Sequence, residues 1–169
     1  MINTEFKKKM ADNWFSFLQI QICKEFQFLE KKRVKFKRRI WRKKNKKEGG
    51  GVSFLLYGGN IFEKVGVNKS TVSGKFEKKF RSKIFGANRV GRYWASGVSV
   101  VAHMKNPKIP ALHFNTRFIV TSKEWFGGGI DATPCINDDK EKRIIHSMLK
   151  NVCENNKKNY EKYKNSTDY

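Results

Sequence analysis

The chain is short of cysteine, proline and acids, and it holds no long apolar run. Its cysteines, Cys23, Cys135 and Cys153, are odd in number, widely spaced and outside any CxxC pattern. That excludes a disulfide framework and a zinc knuckle, and leaves reduced thiols. No window approaches ~18 uncharged apolar residues, so the sequence offers no membrane-spanning helix. The opening MINTEFKKKM lacks the apolar stretch and small-residue cleavage site of a secretory signal, which makes the cytoplasm the expected compartment. Neither GxGxxG nor GxxxxGK[ST] occurs, so neither phosphate-cradling loop is present. Acids are outnumbered 15 to 37 by Lys and Arg, giving a net charge of +22. An imbalance of that size favours anionic partners but says nothing of fold.

Much of the excess sits in one segment. From Lys31 to Lys47, twelve of seventeen residues are Lys or Arg, interleaved with Val34, Phe36, Ile40 and Trp41. A basic run with aromatics is compatible with nucleic acid, because neutralising phosphates releases counterions. Charge blocks are more often solvated linkers, and 31–47 is read here as linker-like, without sequence-specific nucleic-acid recognition.

The 169 residues fit one domain with a sizeable core, to which fourteen phenylalanines contribute. Asp12 or Asn13 is placed to cap a helix carrying Phe15, Leu18, Ile22, Phe26 and Leu29 at three- and four-residue steps. Val52–Tyr57 and Asn60–Val67 read as strands joined at Gly58-Gly59, followed by a polar turn region marked by Gly66, Asn68, Ser70 and Ser73. Residues 75–92 suggest a short helix ending near Gly86. After Pro134, Asp138 or Asp139 is placed to cap a helix with Ile145, Met148, Leu149 and Val152 as its stripe and His146 beside it.

Residues 93–134 carry the chemistry. Tyr93–Met104 is β-branched and aromatic without helical spacing, so it reads as a strand. Ser99, Val101 and His103 then share one face; Val98, Val100 and Ala102 share the other and look like core. Lys105–Pro110, with two prolines, is a turn. Leu112–Val120 alternates more sharply, with His113, Asn115 and Arg117 on one side and Phe114, Thr116 and Phe118 on the other. Paired as a hairpin, the two runs would put hydroxyl, imidazole, amide and guanidinium groups on one sheet face. That set suits a carboxylate-bearing ligand, since Arg offers a planar fork and charge-assisted pairs are the strong ones; a solvated strand face is the plain alternative. The triple glycine 127–129 after Trp125-Phe126 admits a close-lying ligand or backbone, or marks a turn.

FEKVGVN at 62–68, GVSVVAH at 97–103, HFNTR at 113–117 and WFGGGIDATP at 125–134 together resemble oxygen-dependent coproporphyrinogen III oxidase, in that family's order and near its spacing. The resemblance extends from about Gly49 to Tyr169 and, more loosely, over the first helix. It implies an α+β fold, an antiparallel sheet with helices packed on its faces. It implies oxidative decarboxylation of two propionates of coproporphyrinogen III to vinyl groups by O2 in haem biosynthesis, without an organic cofactor, in a homodimer. On it, Arg117 and Asn115 hold a propionate and Ser99 contacts substrate. His113 is the proton donor, Asp131 engages the pyrrole N–H groups, Asn68 lines the cleft, and Trp125 and Phe126 wall it. His103, His113 and His146 stand where a divalent metal is sometimes assigned. Ala132 replaces the usual leucine, and KNSTDY at 164–169 looks like a degraded form of a family helix. The expectation is an incomplete domain with the C-terminal part of the family fold missing and little activity alone. A basic nucleic-acid-binding protein is the competing reading.

Overall fold

The computed structural model describes residues 3–31, 34–88, 90–136 and 139–165. Helix α1 spans Thr4–Leu29, and strands β1 Lys37–Arg42, β2 Gly49–Tyr57, β3 Phe62–Lys75, β4 Arg92–Met104, β5 Ala111–Val120 and β6 Glu124–Thr133 follow, with the short helix α2 Lys78–Arg81 between β3 and β4. Helices α3 Asp139–Asn155 and α4 Tyr160–Lys164 come last. The strands form one antiparallel sheet in chain order, β1-β2-β3-β4-β5-β6, as hairpin connections of this length favour.

Strands β3, β4 and β5 alternate between a packed and an open face, whereas β1 is exposed throughout. Val65, Val67, Val98, Val100, Ala102, Phe118 and Val120 are buried on the packed face, against α1. The helix presents Ala11, Phe15, Gln19 and Cys23, spaced by fours and all buried, with Leu18, Ile22 and Phe26 beside them. This amphipathic stripe is what holds the helix to the sheet. Burial pushes the Cys23 thiol up to about 12, so it stays protonated and inert.

Two polar contacts fix the docking. Gln19 Nε2 donates to the Val52 and Val67 carbonyls, 2.8 and 2.9 Å away. Asp12, read from sequence as a cap, lies inside α1, which is capped instead by Asn3. Its carboxylate accepts from Lys69 at 2.6 Å, from Ser96 at 3.0 Å and from the Thr71 hydroxyl.

Glu30, just past α1, is 1% exposed. Its carboxylate accepts the backbone N–H groups of Asn60, Ile61 and Phe62 at 2.7, 2.8 and 2.6 Å, tying the helix end to the β2–β3 connection. That connection runs over residues 58–61, longer than the expected glycine pair, and Gly58 adopts φ +67°. Gly59 must lack a side chain, because a Cβ there would lie 2.2 Å from Glu30 Oε1.

Three readings of the sequence are corrected. Part of the basic run is not linker: residues 37–42 pair with 50–55 as edge strand β1, while residues 32 and 33 fall outside the described residues. The polar stretch after Val67 is not a turn but the second half of β3, paired with β4 as far as Lys75. The triple glycine is not a turn either, lying within β6 opposite Asn115, Thr116 and Arg117. The second helix begins at Asp139, and Asp138 lies outside the described residues.

Candidate active site

The open face gathers the polar residues that alternation puts opposite the core. Strand register sets them in rows, because directly opposed residues of an antiparallel pair project to the same side. One row runs Ser53, Asn68, Ser99, Asn115, Gly129. Beside it run Leu55, Gly66, Val101, His113, Asp131, and on the other flank Gly51, Ser70, Gly97, Arg117, Gly127. Thus Ser99 faces Asn115, His113 faces Asp131, and Arg117 lies one step along β5 from Asn115.

Local chemistry orients these groups. Arg117 Nη2 donates to Asn115 Oδ1 at 2.6 Å, which holds the guanidinium along the sheet. Asp131 Oδ2 accepts from Thr133 Oγ1 at 2.7 Å and keeps its remaining acceptor sites for another donor. Gly97 lets β5 come close beneath Arg117: a Cβ there would sit 2.4 Å from the Thr116 carbonyl oxygen and 2.7 Å from Arg117 Cβ. The triple glycine acts similarly, leaving no side chains opposite Asn115 and Arg117.

The floor between β2 and β4 is therefore built of small groups, Gly51, Ser53, Gly66, Ser70, Gly97 and Ser99. His113, Arg117 and Asp131 rise exposed at its β5–β6 side. Among the described residues no helix packs on this face; α3 makes its helix contacts with α4. A flat, carboxylate-rich molecule can lie on such a floor, with Arg117 and Asn115 for an anionic arm and Asp131 for N–H donors.

Two expected groupings do not form. Trp125 and Phe126, expected to wall one cleft, are successive strand residues on opposite faces. Trp125 is on the open side, edge-on to Phe85, whereas Phe126 packs on Phe118 at 4.9 Å between ring centroids. Nor do the three histidines converge. His103 and His113 share the open face, but His146 is on α3, with Nδ1 2.5 Å from the Tyr160 hydroxyl. Among the described residues no three His, Cys, Asp or Glu side chains are grouped as a metal site would need. The donor set does not fit a metal.

The register also brings in side chains that sequence reading missed. Lys37, Arg39 and Trp41 of β1 oppose Leu55, Ser53 and Gly51, and so belong to the open face. KRRIWR has no polar–apolar alternation that would mark it as a strand, and pairing with β2 is what sorts its residues by face.

The family described as coproporphyrinogen III oxidase matches residues 10–169. Oxygen-dependent coproporphyrinogen-III oxidases of Rickettsia typhi and Rickettsia prowazekii are each 47% identical over 162 residues, covering 90% of this chain and 56% of theirs. That of Rickettsia rickettsii (strain Sheila Smith) is 44% identical over 170 residues, 95% of this chain and 60% of its own. The chain thus spans a little over half the length of these curated relatives. These relatives lend no support to the nucleic-acid reading, and the family match runs over most of the chain: the chain belongs to the coproporphyrinogen III oxidase family.

Proposed function

We propose that this chain carries the substrate-binding sheet of an oxygen-dependent coproporphyrinogen III oxidase. The observation that carries the reading is the register, which puts Ser99, His113, Asn115, Arg117 and Asp131 on one open sheet face. The tetrapyrrole lies on the small-residue floor, one propionate is taken by the Arg117 and Asn115 fork, and Ser99 hydrogen-bonds beside it. Each propionate then loses CO2 and a hydride equivalent to become a vinyl group. The two electrons pass to O2, which with two protons is reduced to the level of hydrogen peroxide. Asp131 accepts the pyrrole N–H groups and assists their deprotonation, making the ring electron-rich enough to reduce oxygen; a carboxylate takes several such donors at once. His113, directly opposite, supplies or removes the accompanying proton. Homodimerisation rests on the family resemblance.

The test is saturable binding of coproporphyrinogen III under nitrogen, followed by admission of air and detection of vinyl product by fluorescence. Binding that weakens with Arg117→Ala and, in a full-length context, oxygen-dependent product that falls with Asp131→Asn are the expected results. Binding indifferent to Arg117→Ala sinks the reading.

A further inference from the structure

Strand β1 stands across the floor from Arg117. Lys37, Arg39 and Trp41 alternate with Arg38, Ile40 and Arg42, so the first three share the open face and the last three the reverse. Trp41 is tied to that face independently, since a Cβ on Gly51 would lie 2.9 Å from its indole Cε2 and Nε1. Arg39 ends the row Ser53, Asn68, Ser99, Asn115, four strands from Asn115. At ~4.8 Å per strand the two are about 19 Å apart along the floor. Small or short polar side chains occupy the positions between.

We propose that Arg39 is the anchor for a second carboxylate of the ligand at the far rim of the floor, with Trp41 stacking against the ligand's flat edge. This rests on the tetrapyrrole reading above and adds a binding subsite to it. A ligand with carboxylates on opposite arms, laid over the floor, meets Arg117 at one end and Arg39 at the other. A guanidinium suits this role because its fork pairs bidentately with a carboxylate. Arg39 is exposed on the side of the sheet that α1 leaves open. The rival account of Arg39 is edge protection, as charged residues on an outer strand discourage strand addition. Edge protection is indifferent to which face a charge occupies, so Arg38, on the reverse of the same strand, serves as the control.

The experiment titrates the chain with coproporphyrin III, an air-stable tetracarboxylate of the same ring, and with deuteroporphyrin IX, a dicarboxylate, following fluorescence at low and physiological salt. Arg39→Ala is expected to weaken coproporphyrin binding roughly five- to tenfold, Arg39→Lys less, and Arg38→Ala by under about twofold. For deuteroporphyrin the Arg39 and Arg38 variants should be alike. Thermal melts of R38A and R39A check that β1 stays paired, and R39K keeps the test valid should R39A loosen the edge. Equal losses for R38A and R39A would mean bulk charge and overturn the proposal. Loss with Arg117→Ala but none with Arg39→Ala overturns it while leaving the functional reading intact. Failure of the unsubstituted chain to bind, or of Arg117→Ala to matter, overturns both.

Discussion

His113 of β5 and Asp131 of β6 are directly opposed across the open face, an imidazole and a carboxylate from neighbouring strands with no third side chain between them in register. On the proposed function this relationship separates proton chemistry from carboxylate binding, which is proposed for Asn115 and Arg117 further along β5.

In a full-length context Asp131→Asn should therefore slow oxygen-dependent turnover by about 10²-fold while leaving tetrapyrrole affinity within a few-fold, because the amide keeps the shape but cannot take a proton. Steady-state kinetics beside anaerobic binding decide this. A variant that loses affinity and turnover in equal proportion would make Asp131 a binding group instead.

Arg117→Ala should weaken binding about tenfold or more, and Asn115→Ala by less, since Asn115 acts partly by holding Arg117 at 2.6 Å. The double variant should lose less than the sum of the two. Additive losses in a double-mutant cycle would show that the Asn115–Arg117 bond plays no part in binding.

The packed and open faces of β4 and β5 were legible in the sequence because period-two alternation there coincides with a clean split between Val, Phe and Ala on one side and polar groups on the other. Where the open-face residues are small and polar, the same logic misled. Residues 66–74 of β3 read as a turn because Gly66, Asn68, Ser70 and Ser73 carry turn composition, although they pair with β4 as strand. The glycines of β6 misled in the same way. Strand β1 was hidden by charge, since its strand character comes from pairing with β2 and not from its own residues. Asp12 was misassigned because cap propensity is local, whereas its partners Lys69, Thr71 and Ser96 lie far off in sequence.

Glu30→Gln should cost about 1.5–3 kcal/mol at neutral pH, because three backbone donors, that of Phe62 buried, would lose a charged acceptor. The pH dependence follows from the carboxyl itself. Burial raises its pKa, but the N–H groups of Phe62, Asn60 and Ile61 and the charge of Lys105 outweigh that, and the net value lies below the usual 4.5. A depressed folded-state pKa gives stability that is present above the unfolded value and lost as pH falls through the folded one. The gap between parent and E30Q should accordingly be full above about pH 5 and close in acid. Urea melts across that range check it, and a gap constant down to pH 2 would mean the carboxylate charge contributes nothing.

Gly97→Ala joins fold and site most directly. Its new methyl would meet the Thr116 carbonyl oxygen and the Arg117 backbone and Cβ, at 2.4 to 2.9 Å. None of these can swing aside as the end of a long side chain would, so β5 must shift away from β4 at the residue that carries the guanidinium. Overpacking of this kind typically costs about 1–3 kcal/mol, which a melt will show. The displacement should also move Arg117 off its carboxylate, and positional errors near 1 Å are costly for charge-assisted pairs. Coproporphyrin affinity should therefore fall nearly as far as for Arg117→Ala. Ser70→Ala, in the same row one strand away, should leave affinity within about twofold, as it removes only a hydroxyl from the floor. If G97A were destabilised yet bound ligand as tightly as the parent, the close approach at Gly97 would belong to sheet packing alone and not to the placement of Arg117.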